Sequence, residues 1–177
     1  MKIKLMSLLF AGLTTLCLGA NFEGPVMLTS AGQSADVQMA KALMKKANIQ
    51  FDNNNVIQAQ DLKGVKTLVI TVGGSSKGLG AAGIKVEDEI ERVESLLKTA
   101  KETGVKTIGL HIGGAARRGG MSDKFLDATI PNVDKIIVVE DGNKDGVFTE
   151  IAKNKNIEIE IVPKITNVVE PLKKSFN

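Results

Sequence analysis

Cysteine, tryptophan, tyrosine and histidine are almost missing from this chain of 177 residues: it has one Cys, one His and neither Trp nor Tyr. With only Cys17 there is no disulfide framework, no Cys-rich zinc site and no thiol pair for redox work. The lack of Trp and Tyr argues against a flavin, since no large ring is present to cover the isoalloxazine. The phosphate-loop pattern is absent too, because Lys77 is followed by Gly78 instead of Ser or Thr. Ser30, Ser34, Ser75 and Ser76 lack the strained elbow of a serine nucleophile, and no base with an orienting acid accompanies them. There are no heptads and no aromatic stripe, so neither a coiled coil nor an aromatic docking face is expected.

Charge of one sign is scarce as well. Of the 23 basic residues, Lys2 and Lys4 lie in the first four positions, which leaves 21 against 20 acidic residues. Nothing in that balance points to nucleic acid as a partner. The long apolar runs are confined to the beginning of the chain, where Lys2 and Lys4 precede an apolar-to-neutral stretch from Leu5 to Gly19. A basic start, a short apolar run and small residues after it mark a secretory leader, expected over residues 1–20. Such a leader takes Cys17 with it on cleavage. Leu16 is too large for the residue before a lipid-bearing cysteine, so an anchor is not expected. The reading is an exported protein, periplasmic or secreted, that meets the membrane only through its leader, with one α/β domain over 21–177.

From Pro25 onward, short β-branched runs alternate with amphipathic stretches. Strands are expected at 25–29, 65–72, 105–112, 135–139 and 157–162, with a short edge strand near Ile49–Phe51. Helices are expected from Ser34, as a cap, to about Ala47; over Val86–Thr103; over about Ser122–Ile130, stopped by Pro131; and over about Val147–Asn154 behind an Asp145 cap. A final helix is expected behind a capping box at Asn167 and Glu170. In the second of these, Val86, Ile90, Val93, Leu97 and Ala100 share one face, and Gly104 stands at the C-terminal cap position. Apolar strands alternating with helices predict a mostly parallel sheet covered on both faces: a single three-layer α/β sandwich, flavodoxin-like or Rossmann-like.

One sequence pattern occurs twice, about forty residues apart. Gly64 to Gly74 matches Gly104 to Gly114, and each copy ends a strand in Gly-Gly, followed by two small residues and a cation: Ser75, Ser76 and Lys77 in one, Ala115, Ala116 and Arg117, with Arg118, in the other. Ligands of open α/β sheets bind at the carboxyl ends of the strands. Glycines there let backbone amides face an anion, and an Arg fork suits a carboxylate or phosphate. The expected anion site therefore comprises Ser30, Gly32, Gln33, Ser34, Gly73, Gly74, Ser75, Ser76, Lys77, His111, Gly113, Gly114, Arg117 and Arg118. The plain alternative is that the glycines only make tight turns and the cations are solvated.

Three further features bear on chemistry. Gly78 to Gly83 has the letters of a dinucleotide fingerprint, but it begins several residues after its strand and no acid ends the next one. Asp141, Asn143 and Asp145, with Gly146 sixth, reproduce the start of a calcium loop. Its twelfth position is Ala152 instead of a bidentate Glu. A divalent metal is the one cofactor this loop suggests; a polar turn leading into a helix explains it equally. His111, beside the second Gly-Gly, is either a general base or anion donor, or a hydrogen-bonded core histidine.

Four segments together, Leu28–Ser34, Val72–Gly83, Leu110–Gly114 with Arg117 to Gly119, and Val139–Gly146, resemble a bacterial family described as domain of unknown function family 6305. The resemblance implies exported proteins with a Rossmann-like sandwich and gives no residue a catalytic role. The leading expectation is a binding module for a small anionic molecule. The alternatives are a metal-assisted enzyme using Asp141 and Asp145 with His111 or Glu140 as base, and an envelope interaction protein without a small ligand.

Overall fold

A computed structural model describes residues 22–176; the expected leader and Cys17 lie outside the described residues. Six strands form one sheet: β1 (Val26–Ala31), β2 (Asp52–Asn53), β3 (Thr67–Val72), β4 (Lys106–His111), β5 (Lys135–Val139) and β6 (Glu158–Val162). Their order is β2-β1-β3-β4-β5-β6, and every neighbouring pair is parallel. The helices are α1 (Asp36–Lys46), α2 (Ser76–Ala82), α3 (Val86–Thr103), α4 (Gly120–Thr129), α5 (Val147–Lys155) and α6 (Val169–Ser175). No helix of the described residues is long and apolar enough to cross a membrane.

The sheet separates two apolar layers. On one face Leu28, Val69, Leu110 and Ile137 pack under α1 and α6, through Ala40, Met44, Val169 and Leu172. On the other, Leu68, Ile70, Ile136 and Val138 pack under α2 to α5, through Leu79, Leu96, Phe125 and Phe148. Alternate residues of one strand thus serve opposite layers, as the two-residue pleat dictates. The three-layer parallel α/β sandwich read from the sequence is the fold observed.

Locally the structure departs from expectation where tertiary contacts outweigh sequence signals. The Ile49–Phe51 segment is not a strand. It completes the end of α1, where Asn48 adopts φ 59° and the Ile49 amide donates to the Met44 carbonyl at 3.0 Å, a Schellman closure with Asn in glycine's place. The edge strand instead starts at Asp52. The cap position of α1 is Ala35, although the Ser34 Oγ accepts from the Asp36 amide at 3.3 Å. Asn167 makes no capping box, because a 3₁₀ turn over Ile165–Val168 runs directly into α6. Helix α5 starts after Gly146, with Asp145 accepting from the Val147 amide at 3.3 Å. The helix α2 is unexpected: Gly78 and Gly80 are its third and fifth positions, yet the Ser75 Oγ accepts from the Gly78 amide at 3.1 Å and Leu79 anchors it in the core. The fingerprint-like glycines therefore lie in and around a helix, not in a phosphate-facing turn.

The strands' carboxyl ends are held by a buried ion pair from α3. Glu89 and Arg92 bond at 2.8 Å with side chains 0% and 5% exposed. Glu89 Oε1 accepts from the Gly32 amide at 3.0 Å and from the Gln33 side-chain amide at 2.9 Å. Arg92 donates to the carbonyls of Ser30 (2.6 Å) and Ile57 (2.9 Å). One helix thereby grips the end of β1, the loop after it and the segment leading to β3. Replacing Glu89 with Ala strands the Arg92 charge in the interior, and we expect a loss of about 3–5 kcal/mol. The paired replacement Glu89→Leu with Arg92→Met should recover much of that loss. Urea unfolding of the three proteins checks this, and equal losses in the single and double variants would contradict it.

Candidate functional site

All six strands are parallel and so present their carboxyl ends at one edge, and the connections from β1 and β3 leave for opposite faces, β1 to α1 and β3 to α2 and α3. That divergence is the place where ligands of open α/β sheets bind. Here it is stitched shut along its backbone. The Gly73 amide donates to the Ala31 carbonyl (3.0 Å), the Ser75 amide to the Gly32 carbonyl (2.8 Å), and Gln33 and Gly74 form an antiparallel bridge. The remaining Gly74 amide donates to the Ser122 Oγ at the start of α4, at 3.1 Å. The amides of the first Gly-Gly pair are thus taken by protein acceptors, so no backbone nest for an anion exists at Gly73 and Gly74.

Several expected site residues point elsewhere. Gln33 turns its amide inward, to Glu89 and to the Asn55 carbonyl (2.9 Å). Ser75 is the cap of α2, and Ser76 and Lys77 are exposed on that helix. Gly78 serves packing, since any side chain there would strike the Gln33 carbonyl oxygen. The two copies of the repeated pattern diverge after their strands: the first enters α2, whereas the second makes a 3₁₀ turn over Gly114–Arg117. Lys77 and Arg117 are consequently not equivalent. Both copies agree at the opposite edge, where Lys66 pairs with Glu23 and Lys106 with Asp134, both at 3.3 Å. Thr67 and Thr107 bond to the same two neighbours.

What does converge is a cluster on the α1 side. Arg117 Nε donates to Asp36 Oδ2 at 3.1 Å, and Nη1 reaches the Gly74 carbonyl at 3.5 Å. A side chain at Gly113 would collide with Arg117 and the Asp36 carboxylate, and one at Gly73 would crowd Asp36, Ser34 and Arg117. The two glycines make the room in which this pair lies. Ser30, near the end of β1, and Ser34, on the loop after it, are buried, and the Ser30 Oγ has no hydrogen-bond partner among the described residues.

Arg118 is used differently. Its Nε donates to Asp123 (3.0 Å), Nη1 to the Gly142 carbonyl (2.6 Å) and Asp145 (3.0 Å), and Nη2 to Asp145 (2.8 Å). Its guanidinium also stands 5.5 Å from the centre of the Phe148 ring. Bonding to Arg118 holds the Asp145 carboxyl at about 2. The rest of the acidic loop has similar internal duties. Asp141 accepts from the Ala115 amide at 2.8 Å and pairs with Lys144, which, first among the causes, lowers its pKa. Asn143 caps α5 through the Phe148 amide at 2.9 Å and holds Thr149. Asp141, Asn143 and Asp145 therefore spend their oxygens on the second glycine turn, on α5 and on Arg118. Among the described residues no group of three or more His, Cys, Asp or Glu side chains is placed to hold a metal ion.

His111 lies under the second turn, 1% exposed. Its Nδ1 is 3.1 Å from the Val72 carbonyl, its Nε2 3.3 Å from that of Gly114, and its ring centre 4.9 Å from that of Phe148. Burial, the largest influence, lowers its pKa below the usual 6.5, against the pull of the two carbonyls. The unfolded chain therefore takes up a proton at a higher pH than the folded one. His111's contribution to stability is full above about pH 6.5 and declines as the pH falls below it. Denaturant unfolding at pH 7.5 and 5.5 should show a smaller acid-induced loss in His111→Gln than in the wild type. An equal loss, or stabilisation of the wild type by acid, would contradict this.

Glu89 and Arg92 are the residues whose importance the sequence reading missed. The signal was their position on α3: Glu89 precedes Val93 by one turn and Arg92 precedes Leu96 by one turn, in the row that faces the core.

Comparison with solved structures gives distant likenesses. The esterase EstA from Pseudoalteromonas sp. is 12% identical with a TM-score of 0.37, over 86% of this chain and 94% of that one. A GDSL-like lipase from Bacteroides thetaiotaomicron is 11% identical with a TM-score of 0.36, over 77% and 66%. A putative acylhydrolase from Bacteroides fragilis is 8% identical with a TM-score of 0.37, over 77% and 65%. Likeness at this level transfers no chemistry. No curated protein matches the chain. A family model, in contrast, spans residues 23–176, nearly the whole of the described structure. By that match the chain belongs to DUF6305, a domain of unknown function.

Proposed function

We propose that the chain is an exported binding module for a small anionic molecule, and that Arg117 is the seat of the anion. The observation that carries this reading is the half-used fork of Arg117. Its Nε is held by Asp36 and its Nη1 has one long contact to Gly74, while its Nη2 has no partner among the described residues. The side chain is 29% exposed. Arg118, with all three nitrogens bonded at 2.6–3.0 Å, has no such capacity. A carboxylate or phosphate can approach the Nη edge in the plane of the guanidinium, the geometry in which Arg binds two oxygens at once. The N-terminus of α1, which begins at Asp36, adds a favourable partial charge on the same side. Asp36 acts as the resident counter-ion with which the ligand shares or contests the arginine.

Calorimetric titration with a panel of carboxylates, phosphates and nucleotides tests the reading. At least one class should give saturable heat. Arg117→Ala should weaken it roughly 10- to 100-fold, the equivalent of one charge-assisted bonding group. Asp36→Asn should tighten it by removing the competing charge. Absence of heat across the panel, or unchanged affinity in Arg117→Ala, overturns the proposal. The export half has its own check. Expression with the native first 20 residues should yield a protein outside the cytoplasm whose intact mass lacks the leader. A full-length cytoplasmic product overturns that half alone.

A further inference from the structure

The opposite end of the sheet carries a feature that the anion seat does not use. Where β4 and β5 begin, an open groove of about 840 Å³ runs between the end of α3 and the end of α5. That is within the size range of small-molecule sites, roughly 300–1,000 Å³. Its floor is apolar: Leu97, Val105 and Val133 are core residues whose outer surfaces face it, joined by the half-buried Ile157. Its rim is cationic, with Lys98 and Lys101 on α3, Lys106 on β4 and Lys155 on α5.

Internal duties explain only part of that rim. Lys106 is paired with Asp134 at 3.3 Å, and Asp134 is itself fixed by the Thr107 amide (2.8 Å) and hydroxyl (3.0 Å). Lys101 and Lys155 stand in the last turns of α3 and α5, where a cation complements the helix dipole. Lys98 lies earlier in its helix, where the dipole gives it no such role. Lys98, Lys101 and Lys155 make no ion pair among the described residues, and Glu94 is the rim's only other acid besides the occupied Asp134. Ammonium groups on flexible stems thus border a groove whose floor shows only the edges of Leu97, Val105 and Val133, 4–7% exposed, and a larger part of Ile157, with Lys98 and Lys101 on successive turns of one helix face.

We infer that this groove is a second binding site, for an amphipathic anion: a hydrocarbon body lying on Leu97, Val105, Val133 and Ile157 with a carboxylate held by Lys98 and Lys101. The body covers the solvent-facing part of Ile157 and the apolar stems of the lysines, and the head supplies a counter-charge to lysines that make no ion pair among the described residues. The site is independent of Arg117, at the other end of the strands.

The test uses the dansylated C11 fatty acid 11-(dansylamino)undecanoate as a fluorescent probe. We expect saturable enhancement of its emission, displacement by decanoate, and no displacement by decanol at equal concentration. The double variant Lys98→Glu with Lys101→Glu, at exposed positions, should bind at least about tenfold more weakly while still unfolding in one cooperative transition. Lys155→Glu provides a second rim variant, expected to weaken binding less. Arg117→Ala should bind the probe as the wild type does, which separates this site from the proposed anion seat. The inference is overturned by an absence of saturable enhancement, by equal displacement with decanol, by unchanged binding in the double variant, or by loss of binding in Arg117→Ala.

Discussion

The interior salt bridge between Glu89 and Arg92 constrains everything at the carboxyl edge. An ion pair without solvent is stable only when its remaining donors and acceptors are also satisfied, and here three backbone groups and one side chain from two separate stretches do so. The partners are the Ser30 carbonyl, the Gly32 amide, the Gln33 side chain and the Ile57 carbonyl. The pair therefore cannot reach its low-energy arrangement unless the β1 loop, the approach to β3 and the middle of the sheet are already in register. Its demand for partners fixes the loop that would otherwise be the most adaptable part of the edge.

That fixation has a consequence for the glycines. Glycine-rich strand ends suggest a backbone waiting for a ligand, yet here most of the close approaches are made by the protein itself. Gly78 admits the Gln33 carbonyl, and Gly114, at φ +60°, admits the Asp141 carboxylate, which bonds the next amide but one from Gly113. Residues 113 and 73 make space for an internal carboxylate and an arginine stem. Close packing at this edge leaves chemistry to side chains that reach past it, and Arg117 is the one that does so with donors unspent.

The fold was legible because its determinants are local and repetitive. Apolar runs such as Val69 to Val72 and Ile136 to Val139 can be satisfied only between two layers, and the amphipathic stripe of α3 with Gly104 behind it admits one conformation. The edge strand and α2 were not legible. The first depends on Asn48 closing a helix in a conformation usually given to Gly, and the second on a serine cap and a single buried leucine overcoming glycines in the first turns. At the site, residue types were legible and partners were not. Arg117 and Arg118 are neighbours with the same side chain, and nothing in the letters says that one meets Asp123, Asp145 and a phenylalanine ring while the other meets Asp36 and, at 3.5 Å, the Gly74 carbonyl. Similarly, the Lys77 and Arg117 positions match in the repeated pattern up to the strand ends, and the divergence of a helix from a 3₁₀ turn then separates them in space.

An arginine already holding a carboxylate is a different receptor from a bare one. Asp36 and any incoming anion compete for one cation, so the free energy of binding is a difference between two ion pairs and not the strength of one. The resident pair makes its bond through Nε, at one edge of the guanidinium, and leaves the Nη edge as the accessible one. A single carboxylate entering beside Asp36 would place two negative charges on one positive charge. The entering group must then offer enough geometric advantage, two aligned oxygens against Asp36's single contact, to offset that repulsion. Selectivity at such a seat comes from the resident acid as much as from the arginine, because weakly chelating anions fail to displace or share what is already bound.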